Sequence, residues 1–238
     1  MIIEVCAFNI QSCMLAYNAG ASRIELCADP MQGGVTPSYG TIRYVREKVP
    51  IPLFPIIRPR GGSFVYDDEE FAIMRQDILL CKELGCDGIA TGMQLADGRI
   101  DADRLKQVVE WAYPMQVTVH RVFDVTPDPF AALETIIDCG CARILTSGQQ
   151  KNAMAGAYMI AKLGATAGER IAIMPGGGVR SANIKELIEA TNANEFHTSA
   201  LISKNISGDK TILSLGDTFI ADANELQSIM AATTKFEH

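Results

Sequence analysis

Short apolar runs alternate along this chain with longer stretches whose apolar residues recur at helical spacing. The runs fall at 1–7, 23–27, 53–58, 88–91, 116–120, 143–146, 171–174 and 195–198, and predict eight strands. Between them, Ile10, Cys13, Met14 and Tyr17 form one helical stripe, and Phe71, Met74, Ile78 and Cys81 another. Leu105, Val108, Val109 and Ala112 form a third, and Phe130, Leu133, Ile136 and Ile137 a fourth. Ile184, Leu187 and Ile188 follow Asn183, an N-cap candidate with Glu186 three residues on. The last helix is expected to hold Phe219, Ala223, Leu226 and Met230. Gly20, Gly85, Gly140 and Asn192 each precede the apolar residue of a strand by four positions (Ile24, Ile89, Ile144, Phe196). A residue suited to the left-handed region followed by a short strand is an αβ-turn signature, and four turns of one length imply one repeated unit. Alternating strands and helices with right-handed crossovers predict a parallel sheet. Eight units in 238 residues fit a closed (β/α)8 barrel, a TIM barrel, which needs roughly 250 residues.

Two features fit less well. Pro55 lies inside the third strand, where its missing N–H predicts a bulge. Residues 199–216 form a long connection without period, to be read as a lid, a short helix or an interface segment. No linker divides the chain, so 1–238 is expected to be a single domain whose segment from 199 onward diverges from the repeat.

The unit Glu-apolar-Cys occurs twice, as Glu4-Val5-Cys6 and Glu25-Leu26-Cys27. Side chains alternate along a strand, so each Glu shares a face with its Cys. Two carboxylates and two thiols on adjacent parallel strands therefore turn to the same side. A carboxylate among the surrounding helices would be costly. Toward the mouth of a barrel it meets water, a cation or a ligand. Two adjacent thiolates suit Cu(I); the alternative is two small residues filling the barrel interior.

Net charge of −7 without a basic run excludes a nucleic-acid binder. No uncharged stretch is long enough to span a membrane. Glu4 interrupts the first apolar run and no basic region precedes it, so it does not read as a signal peptide, and a cytoplasmic location is expected. Seven cysteines, an odd count, are then expected to be free thiols. Cys81, Cys86, Cys139 and Cys141 fall at helix-to-strand turns, the stability end of a barrel, and read as packing residues.

Barrels bind ligands at the C-terminal strand ends, and polar groups gather there. Arg58 and Arg60 follow the third strand, and His120, Arg121 and Asp124 the fifth. Ser147 and Gly148 follow the sixth, Gly176, Gly177 and Gly178 the seventh, and His197 closes the eighth. The glycines suit an anion held by backbone N–H groups, with Arg58, Arg60, Ser147 and Gly148 as further anion contacts. Alternatively they only make a turn, and the arginines pair with local acids. His120 and His197 are candidate proton-transfer groups, with Glu4, Glu25 and Asp124 as base, orienting group or metal ligand. No lysine closes a strand, which disfavours a Schiff-base aldolase.

Taken together, these segments resemble the CutC family of copper homeostasis proteins. The resemblance rests on Glu4-Val5-Cys6, on 20–27, 33–38 and 57–62, on His120-Arg121-Val122-Phe123-Asp124, and on 145–149, 175–180 and 197–200. Ser63 and Asn9 depart from it, where Asp and Ser are usual. It implies a TIM barrel, a cytoplasmic protein, a homo-oligomer and copper handling, which here would fall on Cys6 and Cys27. The rival expectation is a lyase, isomerase or hydrolase acting on a small phosphorylated or carboxylated metabolite at the same mouth.

Overall fold

The computed structural model describes residues 1–204 and 218–236. Eight parallel strands alternate with helices: β1 (Ile2–Ala7), α1 (Ile10–Ala19), β2 (Arg23–Leu26), α2 (Tyr39–Lys48), β3 (Leu53–Pro55), α3 (Asp68–Glu83), β4 (Gly88–Thr91) and α4 (Ala102–Ala112). They continue with β5 (Gln116–Val119), α5 (Pro129–Asp138), β6 (Arg143–Thr146), α6 (Ala157–Ala167), β7 (Ala172–Pro175), α7 (Ile184–Thr191) and β8 (Glu195–Thr198). A hairpin of β9 (Leu201–Lys204) and β10 (Thr218–Ala221) precedes α8 (Ala223–Thr233). The strand order β3-β2-β1-β8 continues into β4-β5-β6-β7 through an Ile56–Ala90 bridge, and β7 lies against β8, so the ring closes as a (β/α)8 barrel.

The four predicted turns form as expected. Gly20, Gly85, Gly140 and Asn192 all take positive φ, between 52° and 92°. Asn192 does so as the one non-glycine of the four, a conformation Asn tolerates better than most side chains. Pro55 produces no bulge. It ends β3, because the Ile56 N–H bonds back to Leu26 on β2 while the Ile57 N–H reaches Ala90 on β4. By that alternation the missing Pro55 N–H faces β4, and the β3–β4 ladder is reduced to a single bridge.

The long connection after β8 is in part a strand, β9; residues 205–217 of it lie outside the described residues. Phe219 belongs to β10 and not to the last helix. The hairpin is tied to the first βα unit: Asn9 caps α1 by accepting the Ser12 N–H and donates to the Phe219 carbonyl at 2.8 Å. Asn183 precedes α7 but does not cap it. Its amide instead closes the preceding turn, accepting from the Arg180 N–H and donating to the Gly178 carbonyl.

Apolar burial falls into two shells. Outward strand residues such as Val5, Ile24, Leu26, Ile89, Val119, Ile144 and Phe196 pack against the helices. Inside the ring the apolar cluster is small: Cys6, Cys27, Ile56 and Ala90. Phe54, Leu145 and Met174 add apolar surface on other strands, and buried charged residues fill much of what remains. Arg23 and Arg143 both bond to Glu195, at 2.6 and 2.9 Å, and both lie over the Phe54 ring. A hollow of about 530 Å³ opens on the N-terminal side and ends on Arg23 and Phe54. All seven cysteines are free and buried.

Candidate functional site

Strand register assembles the site. Glu4 pairs with Arg23 on β2 and His197 on β8, and Cys6 pairs with Glu25. Inward alternation then stacks Glu4 below Cys6 and Arg23 below Glu25. His197 Nδ1 bonds to Glu4 Oε1 at 2.7 Å, and Arg23 Nε reaches Glu4 Oε2 at 2.5 Å. The far side of the imidazole faces the upper layer, with Nε2 3.8 Å from Glu25 Oε2. The Cys6 and Cys27 sulfurs lie 3.6 Å apart, and Cys27 Sγ lies 3.5 Å from Glu25 Oε2. Donor atoms of Cys6, Glu25 and Cys27 all fall within 4.8 Å of one another.

The charges are sorted by these contacts. The hydrogen bond with Cys27 pulls the Cys6 thiol down to about 6 against its burial, and His197 adds to the effect. Burial raises Cys27 well above an ordinary thiol, and the adjacent Cys6 and Glu25 raise it further. Burial and the charge on Cys6 likewise lift Glu25 well above the usual carboxyl range. Burial would lift Glu4 too, but the hydrogen bond and charge of His197, together with Arg23, outweigh it and hold Glu4 at about 2. Burial opposes a charged His197, yet its bonds to Cys6 and Glu4 and the nearby acids win and raise it well above the usual value. These contacts favour a thiolate at Cys6 beside a His197 imidazolium held from behind by Glu4, and favour the protonated forms of Cys27 and Glu25.

The donor set fits a soft cation. Thiolates reaching one ion from opposite sides at about 2.3 Å each would stand roughly 4.6 Å apart, and the observed sulfurs are already nearer than that. Glu25, which alternation alone assigns only to the thiol face, becomes a third donor because the register sets it level with Cys6.

Other polar residues at the strand ends are placed differently. The Arg58 guanidinium donates to the carbonyls of Gln32, Gly34 and Gly62 at 2.6–2.9 Å. Arg60 pairs with Glu70, which also closes the capping box of α3 with Asp67. Asp124 is a structural hub. It accepts from Thr146 Oγ1 at 2.5 Å, from the Ser147 and Gln149 N–H groups and from Arg121 Nε, and so holds the loop after β6. Ser147 is buried against Asp124 and the Gln150 carbonyl, and the Gly148 N–H bonds to Thr146 Oγ1. The ion pairs that fill the barrel below the site were not singled out in the sequence, although the period that places Glu25 inward also places Arg23 inward, and that placing His197 also places Glu195.

Two small hollows share Arg121 and His197 as walls. One, of about 150 Å³, lies between Gly177, Gly178, Val179, Arg180, Thr198 and Ser199. Gly176 does not line it: its backbone packs so near Leu145 that a Cβ would stand 2.3 Å from Cδ1. The other, of about 120 Å³, reaches Cys6, Glu25, Arg58 and His120. Burial, aided by the charge on Arg58, pushes His120 down to about 3, so its ring is neutral.

The family model described as "CutC family" matches residues 1–202. A CutC family protein of Parabacteroides distasonis is 50% identical over 200 residues, covering 84% of this chain and 82% of that protein. A crystal structure described as a candidate copper homeostasis protein, CutC, from Streptococcus agalactiae is 33% identical with a TM-score of 0.79, over 83% of this chain and 97% of that one. Phosphoribosylanthranilate isomerase from Thermotoga maritima, 11% identical with a TM-score of 0.62 over 99% of this chain and 100% of that one, shares the fold alone. With the family model spanning every strand of the barrel and the paired Glu-x-Cys units at its mouth, this chain belongs to the CutC family.

Proposed function

We propose that this protein serves copper homeostasis in the CutC manner and binds Cu(I) through Cys6 and Cys27. The observation that carries the reading is the pair of buried sulfurs 3.6 Å apart with Glu25 beside them. Sulfur donors select soft monovalent copper over harder ions. Family membership and the copper description of the Streptococcus agalactiae protein support it.

When bound, the metal would supply a soft Lewis acid; the remaining work belongs to the chain. Cys6 is suited to ligation because the hydrogen bond with Cys27, helped by His197, favours its thiolate. Cys27 must lose its proton on ligation, and because Glu25 beside it is itself held in the protonated form, that proton is released to solvent as the metal binds. Glu4 fixes the His197 ring through Nδ1, an outer partner of the kind that orients metal-site histidines. A cytoplasmic location, where thiols stay reduced, suits seven free cysteines.

Anaerobic titration with Cu(I) against a chromogenic competitor is expected to give about one copper per chain. The variant carrying both Cys6→Ser and Cys27→Ser should bind none. Unchanged binding in that variant would sink the reading.

A further inference from the structure

Arg58 is a buried cation that no acid among the described residues balances. It is 6% exposed, and its three terminal hydrogen bonds all go to backbone carbonyls. Among the described residues no carboxylate forms an ion pair with it, whereas the buried Arg23 and Arg143 share Glu195. A buried charge without a counter-ion is costly, and proteins seldom keep one without a reason.

His120 lines the same hollow and has its own unmet need. It is 4% exposed. Nδ1 accepts the Val122 N–H at 3.2 Å, so in the neutral ring Nε2 carries the hydrogen. Among the described residues, that Nε2–H has no acceptor, and neither has Arg58 Nε. Thr118, two residues earlier, bonds to Arg143 inside the barrel, and alternation turns His120 inward above it. The hollow between these groups holds about 120 Å³, the room of about four waters at roughly 30 Å³ each. Its remaining walls are Gly33, the apolar Ile56 and Leu145, Cys6 and Glu25, and two side chains that already have acids, Arg121 with Asp124 and His197 with Glu4. Phe64 covers this corner, with its ring 4.9 Å from both the His120 centroid and the Arg58 guanidinium carbon.

We propose that this hollow is a binding site for a small carboxylate, seated on the His120 Nε2–H in the field of Arg58, with Phe64 as its cover. Two unmatched donors, His120 Nε2–H and Arg58 Nε–H, and one unbalanced positive charge ask for an acceptor carrying a single negative charge. The apolar walls disfavour a dianion such as phosphate, whose desolvation is larger. The size admits a molecule of two to three carbons, whose far end lies toward Cys6 and Glu25. The hollow shares Cys6, Glu25 and His197 as walls with the sulfur cluster, but its two anchors, His120 and Arg58, are not part of that cluster.

The test uses the metal-free full chain with pyruvate as probe, and with chloride and inorganic phosphate at matched ionic strength. Pyruvate at about tenfold over a millimolar Kd is expected to raise Tm by roughly 3 °C, with no comparable shift from chloride or phosphate. His120→Phe keeps a ring in place and removes the donor, and the shift should vanish. In the unaltered protein the His120 Nε2 nitrogen resonance should move on titration, a readout that does not depend on the variant folding. A Tm indifferent to pyruvate, a shift that survives His120→Phe, or a resonance that stays put at saturating pyruvate would each overturn the proposal. Because no copper is present, the outcome leaves the copper reading to stand or fall by its own titration.

Discussion

His120 illustrates how one side chain ties acid stability to the interior. Its pKa in the folded protein is about 3, below the ordinary 6.5, because burial and Arg58 oppose its charge. Between those values the unfolded chain binds a proton that the folded chain refuses. Stability from this group is therefore full above about pH 6.5 and drains away as pH falls toward 3, by up to roughly 1.4 kcal/mol per unit. Urea unfolding followed from pH 7 to pH 4 should show this slope, and His120→Phe should flatten it; an equal slope in both proteins would contradict the assignment. At this scale the sequence was partly legible. The two Glu-x-Cys units, His197 and the left-handed glycines follow from alternation and turn chemistry alone. The roles of Arg58, Arg60 and Asp124 do not, because they depend on which carbonyls and side chains the loops bring within reach.

At the level of elements, the loop between β6 and α6 is built on close backbone approach. A Cβ on Gly156 would stand 1.9 Å from the Ser147 carbonyl oxygen, so the segment that delivers Ser147 and Gln149 to Asp124 would have to move. Gly156→Ala should cost about 1–3 kcal/mol, as overpacked sites do. Gly164, midway along α6, meets nothing within 4 Å, and Gly164→Ala should instead be neutral or stabilising by up to about 1 kcal/mol. Thermal unfolding of the two variants decides the matter, and a matched response would refute the close-approach account. The strands and most helices were readable from periodicity. The hairpin of β9 and β10 was not, since short strands outside the repeat leave little pattern, and Phe219 alone could be fitted to the helix after it.

Across the whole molecule, the barrel interior is held by charge as much as by apolar packing. Glu195 lies between Arg23 and Arg143, all three mostly buried. Glu195→Gln would leave Arg143 without a carboxylate and Arg23 with Glu4 alone, and a loss of about 3 kcal/mol is expected, in the range of broken buried pairs. The urea midpoint measures it, and a change under about 0.5 kcal/mol would mean the cluster is replaceable. The closed ring and its polar mouth were legible from eight strands and the polar residues at their C-terminal ends. That the opposite end is sealed by ions was legible in principle from the same two-residue period.

That seal makes the barrel a blind well. With Arg23, Phe54 and their partners as its floor, a guest bound for the sulfurs is expected, among the described residues, to arrive and depart by the opposite rim, past Phe64 and Arg121. A metal on the thiols and a carboxylate above it would then be stacked visitors: the deeper one enters first and leaves last, and its rate of escape would be set by the guest on top.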